Sequence, residues 1–203
     1  MRRSLTSILV CLVFALAFAE RAAAQSFGYG AKGGISFTTQ KFEEKQTLLS
    51  PSAEMGWVAG GLDRQNLFWS LELQVEALYA QRRTSFSDTV TDTLTYLEVP
   101  ILLRYPVFGP PSWRVHVVGG VVWSHLLEAR EEVGSFTSGA GDDIADKLEP
   151  NETAASIGAD VQFKRRWVAD FRYLYGLSEV YRSGPPFVAK QRGFEITVSY
   201  RFR

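Results

Sequence analysis

The stretch that decides the fold runs from Phe194 to Phe202 and reads FEITVSYRF. Every second residue is apolar or aromatic, and the residues between them are polar. A period of two is typical of a β-strand with one apolar face and one polar face. Other long runs of the chain repeat this pattern, and their apolar faces carry aromatic residues at both ends. This combination predicts a barrel whose outer surface contacts lipid.

The alternation predicts eight strands, joined by links of two lengths. The strands are expected at about 26–37, 53–62, 67–81, 93–105, 113–125, 153–163, 167–177 and 192–202. The short links are 63–66, 106–112 and 164–166, and the long links are 38–52, 82–92, 126–152 and 178–191. Outer-membrane barrels have an even number of strands, short periplasmic turns and longer extracellular loops. We therefore predict an all-β protein, an eight-stranded antiparallel up-and-down transmembrane β-barrel with both termini in the periplasm.

The apolar faces of four strands define the predicted outer surface. They contain Phe27, Tyr29, Ala31, Ile35 and Phe37; Trp69, Leu71, Leu73, Val75, Ala77 and Tyr79; Trp113, Val115, Val117, Gly119, Val121 and Trp123; and Trp167, Ala169, Phe171, Tyr173 and Tyr175. A strand of ten steps, at ~3.3 Å per step and a tilt of ~40°, rises about 25 Å, which matches the apolar band of an outer-membrane barrel. Aromatic rings at both ends suit the two membrane interfaces.

The polar faces of the strands define the predicted lumen. They contain Lys32, Glu72, Gln74, Glu76, Glu98, Arg104, Arg114, His116, Asp160, Gln162, Asp170, Arg172, Glu195 and Arg201. Because both signs of charge are present in similar number, we expect these side chains to pair with one another and to fill a small barrel. The alternative is a soluble barrel of lipocalin type, in which the polar face meets water. The aromatic strand ends and the alternating link lengths favour the membrane barrel.

The N-terminus has the layout of a secretory signal peptide. Arg2 and Arg3 precede an apolar run that ends near Ala19, and the three alanines before Gln25 suit a cleavage site. We predict a cleaved signal at residues 1–24 and an outer-membrane β-barrel domain at 25–203. The only cysteine of the chain lies within that signal, so thiol catalysis and cysteine metal sites are excluded from the mature protein.

The charge of the chain limits its partners. Lys and Arg number 22, as do Asp and Glu. Removal of the signal takes away three arginines and one glutamate, which leaves 19 basic and 21 acidic residues. No basic stripe is present, so we expect no nucleic-acid partner. The length suits a single domain.

Three segments resemble a known barrel family. Residues 96–105 read YLEVPILLRY, residues 118–123 read VGGVVW, and residues 170–177 read DFRYLYGL. In this order, with the closing strand, they are similar to segments of the PorT-like outer-membrane β-barrel family. The resemblance implies a small eight-stranded barrel without an established activity, and the family's namesake belongs to a protein secretion and gliding system. It carries no functional residue to this chain.

Candidate chemistry is sparse. Ser124, His125 and Glu128 suggest a hydrolase, but the first two are strand neighbours and are expected to point to opposite faces. His116 is expected to be a paired luminal side chain. The long acidic link 126–152 contains eight Asp and Glu residues, and their spacing does not match a calcium-binding loop. We predict no catalytic, cofactor-binding or metal residue. Within the strand 93–105, Pro100 is expected to cause a local bulge.

These observations favour a non-enzymatic binding or scaffold component of the Gram-negative outer membrane. A lipid-modifying enzyme and a narrow small-solute channel are the alternatives. The partners expected are outer-membrane lipid, the barrel assembly machinery and another envelope protein, and the barrel is expected to be a monomer. The sequence does not identify the envelope partner.

Overall fold

The fold is a closed antiparallel β-barrel. The structure, a computed structural model, describes residues 28–42, 52–87, 90–110, 112–133, 142–164, 166–180 and 189–202. The eight barrel strands are β1 Gly30–Phe42, β2 Ser52–Phe68, β3 Leu71–Ser87, β4 Val90–Phe108, β5 Trp113–Val133, β6 Asn151–Phe163, β7 Trp167–Gly176 and β8 Ala189–Arg201. Outside the barrel wall, a two-residue strand, Asp142–Asp143, pairs with β5, and a 3-10 turn covers Ala145–Lys147.

Each strand pairs with the next one along the chain, and β8 pairs with β1 to close the barrel. Directly paired residues lead from Gln65 on β2 through Leu73, Leu103, Gly119, Ile157, Tyr173, Phe194 and Phe37 to Met55 on β2. The path returns ten residues from its start, so the shear of the barrel is ten residues for eight strands. With ~3.3 Å per residue and ~4.8 Å between strands, this corresponds to a strand tilt of about 40°. The predicted fold class is confirmed.

The two faces of the wall differ sharply in exposure. On β5, Val117 is 47% exposed and its neighbour Val118 is 1% exposed. The same alternation runs along β7, where even-numbered residues are buried and odd-numbered residues are mostly exposed. Large apolar side chains cover the outside and charged side chains lie inside, which confirms the predicted register of the membrane barrel over its soluble alternative.

Aromatic rings surround the barrel near both ends of the outer face. At the end with the short turns, Trp167 contacts Tyr200 with ring centroids 4.8 Å apart, and Tyr29 contacts Phe202 at 5.9 Å. At the end with the long links, Trp57 stacks on Tyr79 at 5.3 Å. We call these two ends the turn end and the loop end; the chain termini of the barrel, Gly30 and Arg201, pair at the turn end.

The first short link is not where the sequence placed it. Strand β2 continues through the predicted link 63–66, and the chain turns at Trp69 and Ser70, both with positive φ (47° and 69°). Trp69 is therefore not a wall residue but the 89% exposed tip of a hairpin. The polar residues 63–66 resemble a turn because they lie near the turn end of the barrel, where strand residues are more polar. A two-residue turn with φ > 0 at both positions usually contains Asn or Gly, and neither is present.

The second long link is also different. The predicted link 82–92 is mostly strand, because β3 continues to Ser87 and β4 begins at Val90. Strand β5 has 21 residues and β7 has 10. At the same tilt, β7 rises about 23 Å and β5 about 50 Å, so β5 extends about 25 Å past the apolar band. The loop end therefore carries a projecting β-sheet made from β3, β4 and β5.

The expected bulge at Pro100 is absent. Pro100 pairs with Val122 on β5 in an unshifted register. On its other side the ladder to β3 has pairs at Val75 and Leu78 and none between them, yet the register does not change. Proline removes the donor without displacing the strand. The register of β4 against β5 shifts instead between Thr95 and Tyr96 and between Pro106 and Phe108.

Several predictions concern residues outside the described ranges. These are the signal peptide 1–24, Phe27 and the central parts of the four long links. The signal and domain boundary stay predictions. Within the described ranges, no helix has the length and apolar character needed to cross a membrane.

Candidate functional site: the filled lumen and its two ends

A central cluster of four charged side chains lies in the lumen. Lys32 contacts Glu76 at 3.1 Å, and Arg172 contacts the same carboxylate at 2.7 Å. Asp170 lies 2.8 Å from Arg172 and 3.7 Å from Lys32. All four side chains are buried, and each cation faces both carboxylates. The central cluster is therefore electrically neutral and closes the middle of the barrel with paired charges.

A second cluster lies nearer the turn end, around Arg104. Its guanidinium contacts Asp160 through Nε and Nη2 at 2.5 and 2.7 Å, and contacts Glu72 through Nη1 at 2.5 Å. Gln162 accepts a further hydrogen bond from Nη2 at 3.0 Å. The Nδ1 atom of His116 lies 2.7 Å from Arg104 and 2.9 Å from Asp160. His116 is thus a buried member of a charge cluster, as predicted.

A third cluster lies nearer the loop end. Arg82 and Glu98 form an ion pair at 2.5 Å, and the Arg82 guanidinium lies 5.1 Å from the centre of the Tyr96 ring. The Tyr96 hydroxyl donates to Glu152 at 2.5 Å and accepts from Gln191 at 3.1 Å. Strands β3, β4, β6 and β8 each contribute to this cluster, so it ties opposite walls of the barrel together.

An apolar cap lies over the third cluster. It consists of Leu94, Tyr96, Ala129, Ile144, Leu148 and Val180, all buried. Ile144 and Leu148 come from the segment between β5 and β6, and Val180 comes from the segment after β7. The backbone N–H of Glu149 donates to the carbonyl of Val180 at 2.8 Å, which joins the two segments. These apolar side chains therefore bury one another at the loop end, beside β4 and β5.

All predicted luminal residues lie on the inner face. Most are buried, Glu72, Gln162 and Arg201 are half-buried, and Arg114 is exposed at the turn-end rim. The buried luminal residues that the sequence list omits include Arg64, Arg82, Glu152 and Gln191. Each of the four fell inside a predicted link. The period-two pattern of the preceding strand could have predicted them. Arg82, for example, continues the inner face of Leu78 and Ala80, and all three are buried.

The hydrolase candidates do not converge. Ser124 is buried on the inner face, whereas His125 stacks on the outer ring of Trp123 with centroids 5.9 Å apart. The Nδ1 atom of His125 lies 2.9 Å from the side-chain oxygen of Asn151, and Glu128 pairs with Arg130 at 2.5 Å. In the described part of the chain, no group of three or more His, Cys, Asp or Glu side chains has an arrangement that could hold a metal ion.

Comparison with known proteins identifies the family. A family model described as "Outer membrane protein beta-barrel domain" matches residues 23–182. This match covers most of the chain, and the chain therefore belongs to the outer membrane protein β-barrel domain family. It is a small barrel of the bacterial outer membrane. None of the curated proteins matches the chain.

Solved structures of small barrels resemble the fold. Neisserial surface protein A is 10% identical, with 86% of this chain and 97% of that chain covered and a TM-score of 0.51. Ail, the attachment invasion locus protein of Yersinia pestis, is 15% identical over 86% and 98% of the two chains, with a TM-score of 0.45. OprG from Pseudomonas aeruginosa is 11% identical over 88% and 97%, with a TM-score of 0.44. At these identities the likeness concerns the fold alone.

Proposed function

We propose that this protein is a non-conducting, non-enzymatic barrel that serves as a binding or scaffold component of the outer membrane. The single observation that carries the proposal is the filled lumen. Three clusters of paired charges occupy it from the turn end to the loop end, and an apolar cap covers the last of them. A barrel of eight strands is just wide enough for its side chains, and here those side chains are long and contact one another.

The projecting sheet at the loop end supports a binding role. Strands β3, β4 and β5 continue past the apolar band and remain paired up to Val90 and Val133. Ordering a paired sheet outside the membrane costs conformational entropy of the chain. A barrel whose only role is to span the membrane does not need this extension. Its outer face presents the exposed side chains of Leu127, Glu128 and Arg130 to a partner.

The resemblance to PorT-like barrels makes a secretion or gliding system one candidate setting for this role. The family assignment itself is to the broader outer-membrane barrel domain, so the setting belongs to the proposal. A lipid-modifying enzyme is the weaker candidate, because Ser124 and His125 face opposite sides of the wall.

Conductance in planar bilayers tests the closed lumen. We expect purified protein to give no steady single-channel current, because any solute path must cross the central cluster and the apolar cap. The variants are Arg172→Ala and Glu98→Ala within the lumen, and Arg130→Ala at the exposed loop end is the control. Steady current from the wild type that changes in the luminal variants and not in the control would make the protein a channel.

Site-specific photo-crosslinking in native membranes tests the binding role. A photoreactive residue at Leu127, on the projecting sheet, is expected to give discrete protein adducts. The same residue at Val117, in the lipid-facing band, serves as the matched control and is expected to give none. Equal adduct patterns at both positions, or none at Leu127 and at the turn-end residue Trp69, would reject a protein-binding role.

A further inference from the structure

The charges of the lumen are not evenly distributed along the barrel axis. The turn-end part contains four guanidinium groups and two carboxylates: Arg64, Arg104, Arg114, Arg201, Glu72 and Asp160. The loop-end cluster has the opposite balance, because the carboxylates of Glu98, Glu152 and Glu195 all act on the single guanidinium of Arg82, and Glu98 contacts it directly. The central cluster between them is neutral. The turn end therefore has two more positive than negative charges inside the wall.

Both turn-end carboxylates are already occupied by one arginine. Arg104 contacts Asp160 and Glu72 at 2.5 Å each. Arg64 is 4% exposed, and among the described residues no carboxylate lies within 4.0 Å of it. Its Nε donates to the side-chain oxygen of Gln74, a neutral acceptor. A buried guanidinium that no carboxylate contacts as an ion pair is unfavourable, so this position favours an anion.

Two further arginines lie at the same opening. Arg201 pairs with Gly30 on β1, and the adjacent Gly28 exchanges backbone hydrogen bonds of 3.1 and 3.2 Å with Arg64. The positive charges of Arg104 and Arg201 repel Arg64, while the carboxylates of Asp160 and Glu72 attract it. Arg114 pairs with Gln162 on the neighbouring strand β6, and Gln162 also contacts Arg104. Neither Arg114 nor Arg201 has an ion-pair partner in the described part of the chain.

We propose that the turn-end mouth of the lumen is a binding site for an anion of the phosphate class, held by Arg64, Arg114 and Arg201. Guanidinium groups pair with phosphate oxygens through two parallel hydrogen bonds, and several such groups around one opening suit a multiply charged oxyanion. Arg114 lies at the exposed rim of this site, and Arg104 and the central cluster lie on its loop-end side. The anion is either a free phosphate or the headgroup of an inner-leaflet phospholipid. This inference deepens the proposed binding function by assigning a ligand class to the turn end, and it does not depend on the projecting sheet.

Calorimetric titration with sodium pyrophosphate tests the free-anion source. The protein is the full barrel in a zwitterionic detergent at low salt, and its folded state is checked by the mobility of the unheated sample in gel electrophoresis. We expect saturable binding that weakens by about tenfold or more in Arg114→Gln and Arg201→Gln, because each variant removes a charge-assisted hydrogen bond. Arg192→Gln is the matched control and is expected to bind like the wild type, because Arg192 faces outward near the loop end, where it contacts the Tyr175 ring. Arg64→Gln is included only if it folds, so the result does not depend on it.

Nanodiscs test the lipid source. The barrel is reconstituted in phosphatidylcholine with and without phosphatidylglycerol, and phosphorus NMR reports headgroups immobilised on the protein. An immobilised phosphatidylglycerol signal that is lost in Arg114→Gln/Arg201→Gln, without pyrophosphate binding, assigns the site to lipid. No binding of either probe, or binding that is unchanged in the turn-end variants, overturns the proposal. Conductance and crosslinking at Leu127 are measured in separate experiments. A failure to bind either anion would therefore reject the anion site without rejecting the proposed function.

Discussion

Replacing Glu76 with glutamine removes one of the two negative charges that hold the central cluster together. Glu76 lies 3.1 Å from Lys32 and 2.7 Å from Arg172, and its side chain is fully buried. After the change, two cations share the single carboxylate of Asp170, and the cluster has a net charge of +1. Breaking a buried ion pair from one side costs about 3–5 kcal/mol, because a charge is left uncompensated. We expect a loss of folding free energy in this range.

Urea unfolding in phospholipid vesicles measures this loss. With a slope of about 1–3 kcal/mol per molar urea, the midpoint should fall by roughly 1–3 M or more. Glu128→Gln is the matched control, since Glu128 is 48% exposed and pairs with Arg130, which is 55% exposed. An exposed pair is worth about 0–1 kcal/mol, so its midpoint should hardly move.

The double variant Glu76→Gln/Arg172→Gln separates charge from packing. It removes one charge of each sign and returns the cluster to neutrality, so it should lose less stability than the sum of the two single variants. If Glu76→Gln shifts the midpoint no more than Glu128→Gln does, the luminal charges are hydrated and the lumen is open, which would also contradict the proposed function.

Four further predictions follow from the wall and its ends. Val117→Arg should lose about 2–4 kcal/mol in the same assay because it places a charge in lipid, whereas Val117→Leu should be nearly neutral. Gly120→Ala should lose about 1–3 kcal/mol by overpacking, since its Cβ would lie 2.1 Å from the carbonyl oxygen of Ile101; wild-type stability would reject the close approach. On intact cells, a membrane-impermeant maleimide should label Arg130→Cys and not Ser70→Cys, and the reverse result would invert the topology. N-terminal sequencing of outer-membrane material should begin at Gln25, and retention of the preceding residues would reject the signal peptide.

The wall of the barrel was predictable from sequence because its physical constraint is local. A membrane-spanning strand must place apolar side chains in lipid at every second position, and this requirement is visible in each strand separately. On β5 the alternation alone assigned Val117 to the outside and His116 to the inside, and both are confirmed. The register within each strand follows from the same rule.

The ends of the strands were less predictable because they lie outside the lipid. There, no physical constraint requires an apolar side chain at every second position. Residues 63–66 are all polar, and residues 82–87 and 90–92 are mostly polar, so they resemble links although they are strand. This error in the strand ends affected the predicted set of luminal residues most. Arg64 and Arg82, which decide the charge balance of the turn end and the loop end, both lie in these segments. One partner of Arg82 is also distant in sequence, because Arg82 contacts Gln191, which lies 109 residues further along the chain.

The shear of the barrel explains why the lumen must be filled in this way. Eight strands with a shear of ten residues enclose a narrow cylinder, in which opposite walls lie within the combined reach of two long side chains. Arg172 on β7 accordingly contacts Glu76 on β3, four strands away in either direction around the wall. Shorter side chains would leave voids, and unpaired charges would be unfavourable in so small a space. The long, oppositely charged residues of the inner face therefore match the narrow lumen that the barrel's geometry imposes.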